Sequence, residues 1–416
     1  MQPAEIRTNT LNNGLVVLVQ PMPDVQSASF VLMIPAGSTH EPAGCNGASS
    51  AISDLIMRGA AGKSSRELAG ALDALGVQRS ESVGWHFISF SGATLKGHLA
   101  AALDIYADVI QRPDLPQQEL PAVIAGIEQS LLAMEDEPQR KALVELRRRC
   151  YDAPWGLPTE GSLDDLPNIT HDILLDHYRR CFRPNGAVIG IAGNVNVDRV
   201  VAQIERLFGS WSPSKDLPVV RGSRGPRVDH ISHDSQQTQI AMAYDAVPYS
   251  HPDYYTAWAA VSVLSGGSSS RLFTEVREKR GLCYTVYATL NSLLKEGRVL
   301  CYAGTTAERA QETLDVTLNE IEHLSDGIAD DELERCTARA KSTLVMQQES
   351  TGARAGALAR DWFHLGRVVP LEEIREKIDA LSAEQVGDYA RAHPPRDVTL
   401  LTIGPEPLKI SQAPNG

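Results

Sequence analysis

An arginine and a tyrosine stand seven residues apart in Arg277-Glu-Lys-Arg-Gly-Leu-Cys-Tyr284. One is a permanently charged fork of donors and the other a phenolic hydroxyl, and this is the one constellation in the sequence that reads as a site. Gly266-Gly267 followed by Ser268, Ser269 and Ser270 predicts a turn running into a helix N-cap, and Leu272, Phe273 and Val276 supply an apolar helical face up to about Arg280. Gly281 ends that helix. Beyond it Leu282, Tyr284, Val286, Ala288 and Leu290 alternate with Cys283, Thr285, Tyr287 and Thr289, the period of a strand. Each residue also has an ordinary role: an Arg near a helix end satisfies the last carbonyls, and a Tyr at a strand start packs.

Other chemistry-bearing residues are weaker candidates. Gly266-Gly267 with three serines has no Lys in P-loop position. His230 and His233 in an extended segment point to opposite faces and do not converge on a metal. Arg147-Arg-Arg149 is the wet side of a helix, and Trp85-His86-Phe87 and Asp361-Trp-Phe-His364 are core or interface aromatics. The six cysteines have no C-x-x-C spacing, which fits reduced thiols and neither a disulfide framework nor a cysteine zinc site.

At 416 residues the chain exceeds one ordinary core. A hydrophobic share of 43% and a charged share of 22% are those of a soluble globular protein. A net charge of -13 argues against nucleic acid and anionic membranes as partners, and no run approaches the roughly 20 apolar residues of a membrane span. The first residues lack the basic and apolar regions of a signal peptide. The expected compartment is cytoplasmic, or periplasmic if a leader has been removed.

Strands are expected over 15–20 and 28–34, with strands around 78–81 and 85–92 pairing with them. Helices are expected over 48–57, 64–75, 98–110, 117–134, 140–150 and 171–181, then a strand over 188–193 and a helix over 197–208. A Pro, Gly and Ser-rich linker over 213–227 separates residues 1–212 from 228–416. The second half repeats the first in outline. Leu314-Asp-Val-Thr echoes Leu103-Asp-Ile-Tyr, and Asp388-Tyr-Ala-Arg before the strand 398–404 echoes Asp176-His-Tyr-Arg before 188–193. Two copies of one α+β unit follow, with a cleft between them as the natural site.

The order of elements, the linker and the echoing halves resemble the insulinase/pitrilysin (M16) family of zinc metallopeptidases, in particular its processing-peptidase-like subfamily. The resemblance covers nearly the whole chain. It implies two homologous α/β sandwich-type halves, each an antiparallel-rich sheet flanked by helices, closing as a clamshell. In the family the first half carries His-x-x-Glu-His in the context Asn-Gly-x-x-His-x-x-Glu-His-x-x-x-x-Gly, because residues at i and i+4 grip one ion while the Glu activates its water. Here Asn46-Gly47 and Arg58-Gly59 frame Ser50 and Asp54 at the histidine positions and Ser53 at the glutamate position. The family's third ligand is a Glu upstream of an acidic-proline turn, and counting back from Glu135-Asp-Glu-Pro138 places Ser130 there. The resemblance therefore implies no catalytic zinc in this chain.

The second half keeps what the first has lost. Ser269-Ser-Arg-Leu-Phe273 and Arg277 to Tyr284 match the family's C-terminal signature, in which Arg bonds a substrate backbone carbonyl and Tyr supports the oxyanion. What the resemblance implies is a non-catalytic subunit of a two-chain zinc metallopeptidase, inactive alone. It would supply Arg277 and Tyr284 to the zinc site of a homologous subunit with an intact His-x-x-Glu-His, and act on unfolded peptides. The alternative is a structural or peptide-binding subunit like the core subunits of respiratory complexes. Ser50, Ser53 and Asp54 do not read as a new hydrolase, since no His lies near them and no Gly-x-Ser-x-Gly elbow surrounds Ser50.

Overall fold

A computed structural model describes residues 6–216 and 218–410. The chain forms two compact units. One gathers the residues up to Ala133, Leu157–Arg221 and Val345–Val368; the other gathers Met134–Gly156, Gly222–Leu344 and the residues from Val369 on.

The strands are β1 (Arg7–Thr10), β2 (Val16–Pro21), β3 (Ser27–Ile34), the short β4 (Gly59–Ala60) and β5 (Lys63–Ser64), β6 (Gln78–Val83), β7 (Ile88–Leu95) and β8 (Val188–Gly193), then β9 (Val228–Ser232), β10 (Gln237–Ala246), β11 (Cys283–Ser292), β12 (Gly297–Thr306) and β13 (Thr399–Gly404). In the first unit they lie in the order β1-β2-β8-β3-β7-β6, with only β2 and β8 parallel. In the second the order is β9-β13-β10-β12-β11, with only β9 and β13 parallel. Without β1, one sheet maps onto the other strand for strand, so the repeat in the sequence is a repeat of topology.

The expected pairing of the strands at 78–95 with both opening strands is corrected. β7 pairs with β3, but β8 lies between β3 and β2. Its run Val-Ile-Gly-Ile-Ala-Gly is buried at every position, and a strand apolar on both faces takes the sheet centre.

The helices are α1 (Ala48–Leu55), α2 (Ser65–Ala74), α3 (Leu99–Gln111), α4 (Leu120–Glu135), α5 (Pro138–Cys150), α6 (His171–Cys181) and α7 (Val197–Phe208), then α8 (Tyr254–Ser265), α9 (Ala310–Glu322), α10 (Asp330–Glu349), α11 (Thr351–Leu365), α12 (Leu371–Asp379) and α13 (Ala383–Ala392). Each sheet is covered by a helix from the other half of the chain. α11 lies on β2, β3 and β8 of the first unit, where Leu358 and Ala359 pack with Val16, Leu18 and Val188. Gly190 makes this approach possible, because a Cβ there would stand 2.3 Å from the Ala355 carbonyl oxygen. The Thr351 and Ser29 hydroxyls share a hydrogen bond of 2.7 Å, and Arg354 Nε donates to Gln20 Oε1 at 2.9 Å. Reciprocally, α5 lies on β10 and β13 of the second unit; its Arg149 Nε donates to Asp229 on β9 at 2.8 Å, and the hydroxyl of Tyr151, just after the helix, donates to Asn291 on β11 at 2.7 Å.

The exchange also brings together the two aromatic motifs. Phe363 on α11 meets Phe87 edge to face at 4.7 Å and His86 at 5.1 Å. Burial drives the His86 and His364 imidazoles down to about 4, so both are neutral at pH 7.

Candidate functional site

The segment before Tyr284 differs from the expected α-helix. Only Arg271 and Leu272 are α-helical; Phe273–Glu278 form a π-helical turn, with the Lys279 N–H bonded to the Thr274 carbonyl at 2.9 Å. Ser270 does not cap it, since its Oγ donates back to the Gly267 carbonyl at 2.6 Å. Leu272 and Val276 face the core, packed with Leu282 and Cys283, which fixes the turn's orientation. The terminus is as expected: Gly281 takes φ +57° and donates its N–H to the Arg277 carbonyl at 2.9 Å.

The ordinary roles of Arg277 and Tyr284 are filled by other means. The carbonyls at the end of the turn are satisfied by Arg309, which donates to Arg280 O and Gly281 O, both at 2.8 Å. Tyr284 packs on no core; it is 81% exposed. Its exposure comes from a bulge on edge strand β11, where Cys283 opposes Thr305 and Thr285 opposes Gly304, leaving Tyr284 between them unpaired. Bulges at sheet edges re-aim a side chain in this way. The Arg277 guanidinium lies over the Tyr284 ring at 5.1 Å and over the Phe273 ring at 4.7 Å. Among the described residues no hydrogen bond or ion pair engages that guanidinium or the Tyr284 hydroxyl. Nearby Glu275 is already bound to Lys279 and Arg280.

Ser50, Ser53 and Asp54 lie on α1 in the first unit. The helix is started by Glu41, whose carboxylate accepts from Gly47 N–H at 3.2 Å, Ser49 N–H at 2.8 Å and Asn46 Nδ2 at 2.9 Å, with Gly47 at φ +112°. Desolvation pushes the Glu41 carboxyl up to about 7 against the pull of those donors. Ser50, Ser53 and Asp54 share the wall of an open cavity of about 660 Å³ with Arg58, Arg79 and Glu81. The expected fourth position, Ser130, is not in that wall; it is exposed on α4 and its Oγ donates to the Gly126 carbonyl at 3.0 Å.

These residues do not fit zinc. Asp54 is gripped by Arg58 through Nε at 2.7 Å and Nη2 at 3.3 Å, and Arg58 Nη1 reaches Glu119 at 3.0 Å. Ser50 Oγ donates to the Thr159 carbonyl at 2.9 Å. The Asp54 carboxylate is thus paired with a guanidinium that would repel a dication, and the Ser50 and Ser53 hydroxyls are poor substitutes for imidazole. Among the described residues no group of three or more His, Cys, Asp or Glu is placed to hold a metal. His230 instead bonds Thr402 through Nδ1 at 2.8 Å.

Sequence reasoning overlooked Phe273 and Arg58. In the sequence the first reads as apolar face and the second as frame, yet each stands four residues from the partner it contacts on one helical turn.

Two family models match the chain: "Insulinase (Peptidase family M16)" over residues 16–161 and "Peptidase M16 inactive domain" over residues 168–339. The chain belongs to the M16 family. Zinc proteases named as uncharacterized from Streptomyces coelicolor (26% identical, covering 98% of this chain and 91% of that protein) and Mycobacterium tuberculosis (28%, 97% and 94%) are similar end to end. So is YmxG of Bacillus subtilis, another such zinc protease, at 27% identity covering 96% and 98%. The crystal structure of a peptidase M16 inactive domain from Pseudomonas fluorescens superposes with a TM-score of 0.88 at 22% identity, covering 99% of this chain and 100% of that one. A chain of complex III2 from Candida albicans superposes with a TM-score of 0.81 at 20% identity, covering 96% of each. The two-unit M16 fold, helices flanking each sheet, is therefore the fold of this chain. Among the described residues no helix is long and apolar enough to cross a membrane.

Proposed function

We propose that this M16 chain is the non-catalytic member of a two-chain zinc metallopeptidase and lends Arg277 and Tyr284 to the site of a homologous partner that keeps His-x-x-Glu-His. The observation that carries this reading is the contrast between the two positions. Asp54 is held by Arg58, whereas Arg277 stands over two rings beside an exposed phenol, with no hydrogen-bond or ion-pair partner among the described residues. An unfolded peptide offers backbone carbonyls, which Arg277 can take as a charged donor. The Tyr284 hydroxyl can donate where negative charge develops on the attacked carbonyl oxygen, a role whose loss typically lowers rates by about 10²- to 10³-fold. The metal chemistry belongs to the partner.

The test is co-purification from the native host, followed by a peptidase assay on unfolded peptides with and without chelator. This chain alone should be inactive and hold no stoichiometric zinc. The pair should cleave, and chelator should abolish the cleavage. Activity of this chain alone with zinc at Asp54 would sink the reading.

A further inference from the structure

We infer that Phe273 is a positioning residue for this reaction, holding Arg277 in the orientation from which it meets the peptide. The inference rests on the function proposed above. Three observations carry it.

The first is the π-helical turn itself. Phe273 and Arg277 are its first and fifth residues, and the wider turn brings side chains four apart nearly into register, so the guanidinium lies over the ring face at 4.7 Å.

The second is division of labour within the turn. Leu272 and Val276 are fully buried and belong to the core cluster with Leu282 and Cys283, whereas Phe273 stands outside that cluster and is half-buried. Its ring is turned to the arginine while its neighbours hold the backbone.

The third is the nature of the contact. A ring face takes up a guanidinium without accepting from its N–H groups in the manner of a carboxylate, so Arg277 is oriented while its donors stay available to a peptide carbonyl. An acidic partner in the same place would have occupied them.

The experiment compares R277A, F273L, F273W and the double variant F273L/R277A, each in the complex with the catalytic partner. F273L keeps an apolar side chain without a π face, and F273W keeps the face. F273L is expected to lower turnover about fivefold, with the same division between kcat and KM as R277A. F273W should restore the rate, and the double variant should be no slower than R277A, because Phe273 acts only through Arg277. Melting temperature and co-purification should be those of the wild type in all four. Wild-type turnover in F273L beside an impaired R277A overturns the inference and leaves the proposed function standing. Equal impairment in F273L and F273W, or an additive double variant, makes Phe273 a packing residue and overturns it as well. Wild-type turnover in R277A overturns the proposed function, and this inference with it.

Discussion

The guanidinium carbon of Arg277 lies 5.1 Å from the ring centroid of Tyr284, two residues brought together by Gly281 in the left-handed region and by the bulge that leaves Tyr284 unpaired on β11. The arginine lies over the phenol's ring, and among the described residues no hydrogen bond engages its hydroxyl. The ring contact and the role proposed for the hydroxyl can therefore be tested separately. Tyr284→Phe keeps the ring over Arg277 and removes only the hydroxyl; with the partner present it should lower kcat by about tenfold or more. Tyr284→Leu removes both and should be slower still. Because the residue is exposed, both variants should melt within about 0.5 kcal/mol of the wild type.

The guanidinium on Asp54 predicts how the degenerate position responds to change. Arg58→Ala releases the Asp54 carboxylate, but Ser50 and Ser53 beside it are poor ligands and no group of three or more His, Cys, Asp or Glu is placed to hold a metal among the described residues. Elemental analysis of purified R58A should show no stoichiometric zinc, as for the wild type. Because the Arg58 contacts to Asp54 and Glu119 are partly exposed, the variant should lose only about 0.5–1 kcal/mol in urea denaturation.

Gly190→Ala tests the reciprocal helices. A Cβ at this position would press on the Ala355 carbonyl at 2.3 Å, and both groups are backbone-fixed, so α11 must shift from β8. Overpacking of this kind destabilises by about 1–3 kcal/mol, and thermal unfolding should report it. The same contact predicts that residues 1–221 alone do not fold to a two-state protein, since Val16, Leu18 and Val188 would lose Leu358 and Ala359.

Much of this architecture is legible in the sequence. The bounds 171–181 and 197–208 emerge as observed because Thr170 and Asn196 cap those helices with their side chains, and the capping box at Ser64 and Glu67 fixes the start of α2. β1 escapes because it is a polar edge strand, exposed at most positions, and β9 because its Val-Asp-His-Ile-Ser follows directly on the linker. The π-turn escapes because six residues are too few to separate its period from that of an α-helix. The position of β8 between β2 and β3, and the passage of α5 and α11 to the opposite sheet, are decided by long-range packing that no local pattern encodes. At the site, the residue types at 277, 284, 50, 53 and 54 carry the reading. The rings over Arg277 and the ion pair on Asp54 require tertiary structure.

Glu41 gives the fold a pH dependence of definite sign. Desolvation raises its folded carboxyl to about 7, while the unfolded group titrates in the ordinary glutamate range near 4.5. The folded state therefore binds the proton more tightly. The stability this contributes is fully present below about 4.5, declines as the pH rises through about 7 and is flat above it. Buried neutral His86 and His364 contribute the opposite slope, so the carboxyl is read as a difference: between pH 5 and 8 the stability of the wild type relative to Glu41→Gln in urea denaturation should fall by about 1–3 kcal/mol. Glu41→Gln keeps an acceptor for the Gly47 and Ser49 amides and leaves the histidine contribution in place, so a constant difference between the two proteins across this range would contradict the assignment.

The proposed division of one active site between two chains is put to the test by a reconstitution. Wild-type chain, R277A and Y284F are each mixed with the zinc-bearing partner, and initial rates are measured on an unfolded peptide with and without chelator. The expected result is chelator-sensitive cleavage that requires this chain and falls by about tenfold or more in both variants. Cleavage by the partner alone at the full rate, or wild-type turnover in both variants, would contradict it.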